Sequence, residues 1–394
     1  MTVLSGCGCI VRPVGKSLVK RTYRYRFHPT REQAEQLLRT FGCVRLVYNK
    51  ALETRITAWR SERRHVGYPE TSAMLTKWKS QEDLAFLADV SSVPLQQTLR
   101  HLQLAFAAFR SKRARHPRFK SRKRGRASAE FTRSAFRWRD GHLWLAKLDQ
   151  PLAIVWSRPL PEGAEPSTVT VSRDAAGRWF CSILVETSVE HLPAVTAQVG
   201  VDAGLTALVT LSTGEKIANP RHERADRVRL ARAQKALSRK QKGSENRAKA
   251  RVRVARVYAR VADRRRDHLH KLSTRLVREN QTIVIEDLAV TTMVKNRSLA
   301  RAISDVAWSE LRSMIEYKAA WYGRTVIVLD RWYPSSKTCG ACGHLLDTLP
   351  LGVRNWTCPG CAAVHDRDVN ASRVILAAGR AVAACGDGVR PHRR

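Results

Sequence analysis

The sequence is poor in acidic residues and has no long apolar run. Its 394 residues include 34 Asp and Glu against 71 Lys and Arg, which gives a formal net charge of +37. No run approaches the ~20 consecutive apolar residues of a membrane-spanning helix, and residues 1–11 lack the apolar core of a secretory signal. We therefore expect neither a membrane protein nor an exported one. Because so large a positive surplus repels itself in a compact fold, a polyanionic partner is expected, and nucleic acids are the commonest polyanions.

The sequence also lacks the even number and regular spacing of cysteines that a disulfide-bonded protein has. The chain has nine cysteines, of which five are scattered: Cys7, Cys9, Cys43, Cys181 and Cys385. An odd number without regular spacing argues against a disulfide framework and is typical of a reducing compartment. We therefore expect a cytoplasmic protein.

The other four cysteines form two Cys-x-x-Cys pairs. Cys339 and Cys342 make the first pair, Cys358 and Cys361 make the second, and 15 residues separate the pairs. This spacing is typical of a zinc ribbon, in which four thiolates surround one Zn²⁺ and leave no open position. The sequence therefore predicts a structural zinc and not a catalytic one. Two flanking histidines are expected at the surface or beside the ligands: His344 and His365.

Hydrophobic patterning predicts a β region with a helical insertion in the first half of the chain. Aromatic and basic residues alternate over residues 19–27, which predicts a strand with its aromatic rings on one face. Residues 30–33 have the pattern of a capping box, so a helix is expected to begin there. Helical spacing continues to about Arg110, and a β-hairpin is predicted to pair residues 168–171 with residues 179–185.

Short apolar strands alternate with helices in the second half of the chain. Strands are predicted over residues 198–211, 282–287 and 325–329, and helices over residues 221–280 and 308–322. Residues 221–280 contain 21 Lys and Arg against 6 Asp and Glu, with a narrow apolar seam. We interpret this stretch as a helix pair whose outer faces meet something anionic.

The basic residues concentrate in two runs. The first is residues 112–126, interleaved with His116 and Phe119, and the second is the helical stretch at residues 221–280. A solvated loop or helix face is the structural alternative, but contacts with phosphates are favoured because Lys and Arg neutralise a nucleic-acid backbone. The expected nucleic-acid contacts are Tyr25, Arg26, Lys112, Arg113, Lys120, Arg122, Lys123, Arg124, Arg239, Lys240 and Lys242.

Three acidic residues stand where acid is unusual. Asp202 and Glu286 each end an apolar strand, and Asp368 begins a helix. Asp366 is expected to cap this helix or to support a metal ligand, and not to bind metal directly. A carboxylate at the end of a buried strand is costly without a partner, and for each one alone a structural salt bridge is the alternative. Together they favour a divalent-metal site, in which two Mg²⁺ ions about 4 Å apart activate water and stabilise the leaving oxygen of a phosphodiester. Weaker candidates of the same kind are Asp287 and Asp305.

These motifs resemble those of the TnpB family of transposon-encoded proteins. Residues 199–205 and 283–288 are similar to the first two RuvC motifs of that family, and residues 358–372 are similar to the third. The resemblance covers about residues 17–390, and the cysteine-rich leader before about Ser17 departs from it. Further similarities lie at residues 25–30, 41–49, 317–323 and 334–339.

The resemblance implies a multidomain fold of α/β and β parts. A wedge-like β-barrel is interrupted by a helical recognition domain, and an RNase H-like (RuvC) nuclease domain carries an inserted zinc ribbon. The implied boundaries are a disordered leader at residues 1–16, the barrel at 17–29 and 127–190, the helical domain at 30–126, the nuclease domain at 196–338 and 362–385, the ribbon at 339–361 and a tail at 386–394.

The same resemblance implies an RNA-guided, Mg²⁺-dependent DNA endonuclease. Asp202, Glu286 and Asp368 match the family's three catalytic carboxylates, which would hold two Mg²⁺ ions beside the structural Zn²⁺. The implied partners are a guide RNA encoded at the transposon's right end and a double-stranded DNA target that carries a short transposon-adjacent motif. The implied location is the cytoplasm of a prokaryote, at its nucleoid.

Three other functions are compatible with parts of the pattern. An RNA-guided repressor that no longer cuts would have no reason to keep all three carboxylates. A strand-transfer transposase would use the same carboxylates to join DNA ends. A zinc-ribbon transcription factor would leave the carboxylates without a role.

Overall fold

The computed structural model describes residues 16–122 and 127–384, which divide into two compact units. The amino-terminal unit comprises Leu18–Thr187, and the carboxy-terminal unit begins at Ser188. Residues 1–15 of the expected leader lie outside the described residues, as do two expected nucleic-acid contacts, Lys123 and Arg124. In the part of the chain that is described, no helix is both long and apolar enough to cross a membrane.

A five-stranded sheet is the scaffold of the amino-terminal unit. Its strand order is β2-β6-β7-β1-β5, and β3 and β4 form a separate two-stranded sheet. The predicted hairpin is confirmed as the pair β6–β7, in which Val169 stands opposite Ile183. The strands are β1 (Lys16–Phe27), β2 (Ala127–Thr132), β3 (Phe136–Arg139), β4 (His142–Leu145), β5 (Ile154–Val155), β6 (Pro166–Arg173) and β7 (Trp179–Glu190).

Three α-helices lie between β1 and β2 in the chain. They are α1 (Arg31–Glu62), α2 (Tyr68–Ser80) and α3 (Ser92–Arg110). The first begins where the sequence predicts, because Thr30 and Gln33 form the reciprocal hydrogen bonds of a capping box. Leu52 and Leu99 of these helices share one buried core with the rings of β1.

The carboxy-terminal unit is built on a mixed five-stranded sheet. Its order is β10-β9-β8-β11-β12, with β8, β11 and β12 parallel and the other two pairs antiparallel. A two-stranded sheet, β13–β14, lies between β12 and the last described helix. The strands are β8 (Gln198–Ala203), β9 (Ala207–Leu211), β10 (Lys216–Ala218), β11 (Thr282–Glu286), β12 (Thr325–Leu329), β13 (Asn355–Thr357) and β14 (Val364–Asp366).

Helices cover both faces of this sheet, which is why its parallel strands read as continuous apolar runs. Val199, Ile283 and Ile285 face a core that includes Leu276 and Ile315 from two of the helices. Val284, on the opposite face, packs with residues of the last described helix. The helices of this unit are α4 (His222–Ser238), α5 (Glu245–Glu279), α6 (Val290–Met293), α7 (Ala300–Val306), α8 (Trp308–Tyr322) and α9 (Arg367–Ala384).

Two glycines allow α9 to lie directly on the sheet. A Cβ at Gly200 in β8 would stand 2.1 Å from the carbonyl oxygen of Ser372 in α9. A Cβ at Gly379 in α9 would stand 2.5 Å from a methyl group of Val284. Neither position has room for a side chain, so the close approach of helix and sheet depends on glycine.

The predicted helix pair is confirmed as α4 and α5. Leu230, Val254 and Val257 form the small buried seam between them. Most of the remaining side chains of α4 and α5 are partly or fully exposed and are rich in Lys and Arg. The pair therefore presents a broad basic surface supported by few apolar contacts.

Candidate functional site

The three predicted carboxylates lie at the face of the carboxy-terminal sheet that α9 covers. Val201 pairs with Ile285 in the parallel ladder, so Asp202 and Glu286 come next on adjacent strands. Adjacent strands lie about 4.8 Å apart, and alternate residues of a strand face the same side. Asp202 therefore shares the face of Gly200, and Glu286 shares the face of Val284, which is the face that α9 covers. Asp368 lies in the first turn of α9.

The electrostatics of Asp202 reflect this convergence. Burial, followed by the charges of Glu286 and Asp368, raises the pKa of Asp202 to about 7, against the opposing effects of Arg367 and of the Ala203 amide. Burial also raises the pKa of Glu286. Crowded carboxylates favour a proton or a bound cation, since either one relieves their repulsion. Carboxylate oxygens alone make up this donor set, which suits Mg²⁺.

Two polar side chains approach these carboxylates. The hydroxyl of Ser335 donates a hydrogen bond of 2.5 Å to Glu286, and the guanidinium of Arg354 lies 3.4 Å from the carboxylate of Asp368. Neither residue is among the predicted site residues, because a serine or an arginine near a cysteine pair has no distinctive sequence pattern. Within residues 16–122 and 127–384, the carboxylates do not form a tightly gathered metal-ligating group, as the four cysteines do.

Asp366 caps the helix that carries Asp368, which is one of the two roles expected from the sequence. Its Oδ1 accepts hydrogen bonds from the backbone amides of Asp368 and Val369 at 3.1 and 3.0 Å. Its other oxygen lies 2.6 Å from the ammonium of Lys216. Both oxygens therefore hold α9 and the sheet in place.

The two weaker acidic candidates also have structural partners. Asp287 forms ion pairs with Arg312 and Arg331, which outweigh the effect of burial and hold its pKa below the usual range. The backbone N–H of Glu223, at the start of α4, donates a hydrogen bond that both carboxylate oxygens of Asp305 share. Neither aspartate is a candidate metal ligand in this arrangement.

The four predicted zinc ligands form one cluster. Their sulfur atoms all lie within 4.8 Å of one another, and the pairs Cys339–Cys361 and Cys342–Cys358 are each separated by 3.7 Å. Four sulfurs at about 2.3 Å from a tetrahedral Zn²⁺ stand about 3.8 Å apart, so the cluster fits this ion. His365 Nε2 lies 3.0 Å from the sulfur of Cys339, a contact that steadies the sulfur without making the histidine a fifth ligand.

The two predicted nucleic-acid contacts on β1, Tyr25 and Arg26, lie on opposite faces of the strand. Arg26 is exposed and its guanidinium lies 5.6 Å from the ring of Phe180. Tyr25 is only 1% exposed, and its ring packs edge-on against Trp156 at 4.7 Å. The expectation that Tyr25 contacts nucleic acid disagrees with this burial, because a ring in the core cannot stack on a base. The alternating pattern predicts the strand correctly, but its aromatic face belongs to the core.

The first basic run is partly tied to the helical layer. Asn49 of α1 exchanges two hydrogen bonds with the backbone of Lys120, and the Lys120 ammonium lies 4.0 Å from the centre of the Tyr48 ring. The other expected contacts of this run that the structure describes are exposed at the end of α3 and beyond it: Lys112, Arg113 and Arg122.

The second group of expected contacts follows α4. The side chains of Arg239, Lys240 and Lys242 are exposed in the turn between α4 and α5. Arg247 of α5 donates hydrogen bonds to the carbonyls of Leu237 and Lys240, which fixes the turn. Three cations are therefore held at the tip of the helix pair, open to a partner.

A basic cavity of about 550 Å³ lies at the amino end of α4. Its two acidic residues are already engaged, since Glu223 pairs with Arg227 and Asp305 accepts from the Glu223 amide. The cavity also touches Leu205 and Thr206, in the turn that follows the Asp202 strand. A basic stretch gives no sequence signal for such a cavity, because distant residues complete it. Its arginines are Arg221, Arg224, Arg227, Arg297 and Arg301.

Comparison with known proteins identifies the family. Residues 182–297 match the OrfB_IS605 family, described as a probable transposase. A protein of Streptomyces pristinaespiralis named "Putative RNA-guided DNA endonuclease" is 69% identical over 375 residues, which cover 95% of this chain and 93% of the relative. The chain belongs to the TnpB family.

Further matches extend across this TnpB-family chain. Residues 308–375 match a Cas12f1-like TNB domain. Residues 17–64 match a helix-turn-helix domain, although here they form β1 and the single long helix α1. A relative in Escherichia coli strain K12, "Putative RNA-guided DNA endonuclease InsQ", is 33% identical over 95% of this chain and 96% of its own length.

The fold of this TnpB-family chain is similar to that of a compact type V effector. The Cas12f1 chain in the structure titled "Cryo-EM structure of the Cas12f1-sgRNA-target DNA complex" aligns with a TM-score of 0.54 at 12% identity. The alignment covers 91% of this chain and 99% of the Cas12f1 chain.

Proposed function

We propose that the protein is an RNA-guided, Mg²⁺-dependent DNA endonuclease that recognises a short transposon-adjacent motif and cleaves guide-matched double-stranded DNA. The convergence of Asp202, Glu286 and Asp368 on one face of the sheet carries the proposal. The names of the relatives at 69% and 33% identity support it. A fold similar to that of Cas12f1, captured with a guide RNA and target DNA, supports it further.

In this proposal the carboxy-terminal unit is an RNase H-like domain of the RuvC type. Three antiparallel strands extended by two parallel ones, with a helix across the carboxylate-bearing face, support that assignment. The cysteine cluster is an inserted zinc ribbon at residues 339–361. The amino-terminal unit comprises the wedge-like barrel and the helical recognition domain, with the boundaries expected from the sequence.

The residues of the site divide the chemistry among them. Asp202, Glu286 and Asp368 would hold the two Mg²⁺ ions, which activate water and stabilise the leaving oxygen of a phosphodiester when bound. The Ser335 hydroxyl orients Glu286 by donating a hydrogen bond to Oε1. Arg354, beside Asp368, is near enough to neutralise charge on a phosphate that enters the site.

The basic surfaces would hold the guide RNA and its heteroduplex. Arg239, Lys240 and Lys242 are exposed at the tip of the helix pair, and five arginines line the cavity. In this proposal they contact phosphates and not bases. Phosphate contacts position a nucleic acid without reading its sequence, which is left to pairing between guide and target. The proposed guide RNA is encoded at the transposon's right end.

Sequencing the RNA that co-purifies with the full-length protein and then assaying cleavage tests the proposal. The expected result is a discrete RNA with a variable 3′ end and Mg²⁺-dependent cutting of matched duplex. Asp202→Ala should abolish cutting and retain RNA and DNA binding, whereas Asp267→Ala, at an exposed ion pair on α5, should cut normally. Guided binding without cutting by the native protein would identify a repressor, and RNA-independent joining of transposon ends would identify a transposase.

A further inference from the structure

One large aromatic side chain stands almost free in solvent near the candidate nuclease site. Trp332, in the loop that follows β12, is 84% exposed. Among residues 16–122 and 127–384, its ring makes no contact with another aromatic ring or with a cation. Burying an indole is strongly favourable. An exposed indole held at a fixed position therefore favours contact with a binding partner.

The loop that carries Trp332 is anchored at both ends to the same strand. On one side, Arg331 pairs with Asp287, directly after β11. On the other side, Ser335 donates its hydrogen bond to Glu286, the last residue of β11. The two anchors are consecutive residues, so the loop forms a short bridge over the end of that strand.

Hydrogen bonds within the loop limit its motion further. The backbone amide of Trp332 donates to Oδ1 of Asp330 at 2.9 Å, and the amide of Tyr333 donates to the Asp330 carbonyl at 3.1 Å. The amide of Ser335 donates to the Tyr333 carbonyl at 2.9 Å. Trp332 is therefore presented on an ordered turn and not on a loose segment.

The position of Trp332 relative to Glu286 follows from chain length. Trp332 is three residues from Ser335, and three residues span at most about 11 Å. Ser335 itself touches Glu286. The exposed ring thus lies within a few nucleotides of the carboxylates, since a stacked strand advances about 3.4 Å per nucleotide.

We propose that Trp332 is a nucleobase-stacking subsite for the DNA strand that enters the candidate nuclease site. The inference rests on the proposed function, because it takes the carboxylates as the place where DNA is cut. Stacking on an aromatic ring suits such a strand, since every base has a π-face and the contact is sequence-tolerant. A guided nuclease must cut any matched sequence, so a subsite without base preference is what it needs.

A fluorescent base tests the subsite without relying on cleavage. The probe is a single-stranded oligodeoxynucleotide with one 2-aminopurine, whose fluorescence falls when it stacks on an aromatic ring. It is added to the full-length Asp202→Ala protein with its co-purified RNA. We expect quenching that is lost in Asp202→Ala/Trp332→Ala and kept in Asp202→Ala/Trp332→Phe. Trp59→Ala on the Asp202→Ala background is the matched control, because Trp59 is exposed but stacks on His65.

Single-turnover cleavage gives a second, independent readout. Trp332→Ala is expected to slow cutting by about 5- to 150-fold. One abasic nucleotide at the stacked position should slow the native protein by a similar factor. Combining the variant with the abasic substrate should add little, because both remove the same contact.

The outcomes separate the subsite from the proposed function. Normal guided cutting by Trp332→Ala, with unchanged 2-aminopurine quenching, would overturn the subsite and leave the nuclease proposal intact. Absence of guided cutting by the native protein would overturn the nuclease proposal, while Trp332-dependent quenching would still support a base-stacking surface. Additive effects of Trp332→Ala and the abasic position would also contradict direct stacking.

Discussion

The side chain of Asn370 is hydrogen-bonded to the loop of Gly340 in both directions. Its Oδ1 accepts from the Gly340 amide at 2.8 Å, and its Nδ2 donates to the carbonyl of Thr338 at 2.7 Å. Asn370 is buried on α9, two residues after Asp368, and Gly340 lies between the first two cysteines. One amide group thus joins the cysteine cluster to the helix that carries a candidate catalytic carboxylate.

Removing this amide should uncouple the two features. Asn370→Ala leaves the Gly340 amide and the Thr338 carbonyl without their partner, at a cost of about 1–3 kcal/mol in the free energy of unfolding. We expect zinc to stay bound and guided cutting to fall at least tenfold. Urea denaturation, zinc analysis and a cleavage assay measure these effects. Asn355→Ala, at an exposed position of β13, is the control, and normal cutting by Asn370→Ala would refute the coupling.

Loss of zinc from the cysteine cluster should reduce cutting at the carboxylates, although the cysteines are not part of that site. Cys361→Ser removes one of the four clustered thiols, so we expect the variant to bind no zinc at this cluster and to lose most of the proposed guided cutting. His344→Ala should keep one zinc per chain, because His344 is not part of the cluster. Metal analysis by mass spectrometry decides, and full zinc content in Cys361→Ser would exclude the four-cysteine assignment.

The contact of α9 with the sheet should not tolerate a methyl group. Gly200→Ala places a Cβ 2.1 Å from the Ser372 carbonyl, so helix and strand must separate. Overpacking of this kind lowers the free energy of unfolding by about 1–3 kcal/mol or more. Gly352→Ala, whose Cβ meets nothing within 4 Å, should unfold like the native protein. Equal urea midpoints for the two variants would contradict this packing.

The stability of the protein without Mg²⁺ should depend on Asp202. Its pKa is about 7 in the folded chain, against 3.8 for an unperturbed aspartate, so the folded chain binds more protons than the unfolded chain between these values. The stability contributed by the protonated form is present at low pH and is lost as pH rises through about 7. Asp202→Asn should not lose stability in this pH range, because an asparagine side chain does not ionise.

Urea denaturation at two pH values measures the effect. At pH 8 without added Mg²⁺, Asp202→Asn should be more stable than the native protein by more than about 1 kcal/mol, and at pH 5 the difference should shrink. Adding Mg²⁺ at pH 8 should stabilise the native protein more than the variant. If the difference in stability between Asp202→Asn and the native protein does not change with pH, ionisation of Asp202 does not destabilise the fold.

The Ser335 hydroxyl should tune the pH profile of cutting. Its hydrogen bond favours the charged form of Glu286 and so opposes the effect of burial, which raises the pKa of Glu286. Ser335→Ala should therefore raise the pKa of Glu286 and move the acid limb of the cleavage profile to higher pH. Ser336→Ala is the neighbouring control. An acid limb that stays in place would limit Ser335 to a packing role.

Much of the carboxy-terminal sheet could be predicted from local pattern. Strands buried on both faces give continuous apolar runs, and for that reason the pattern bounds residues 282–286 and 325–329 almost to the residue. The candidate carboxylates stand out because an acid ends each of two such runs. The cysteine cluster follows from spacing alone, since ligand geometry constrains the sequence directly.

Features that depend on distant residues could not be predicted in this way. Ser335 and Arg354 become site residues only when folding brings them to Glu286 and Asp368. The alternation around Tyr25 predicts its strand correctly, yet alternation does not say which face meets the core and which meets a partner. The basic residues next to Tyr25 in the sequence favour a contact with nucleic acid. The apolar ring of Tyr25 nevertheless packs in the core.

The packing of α9 over β8 also sets an order of events during synthesis. A ribosome completes β8 and β11 long before it reaches α9, so a growing chain holds two of the three carboxylates and no helix across them. Under the proposed function, such a fragment has a partial metal site and cannot cut. Nuclease activity would therefore begin only after α9 has been synthesised and has packed on the sheet.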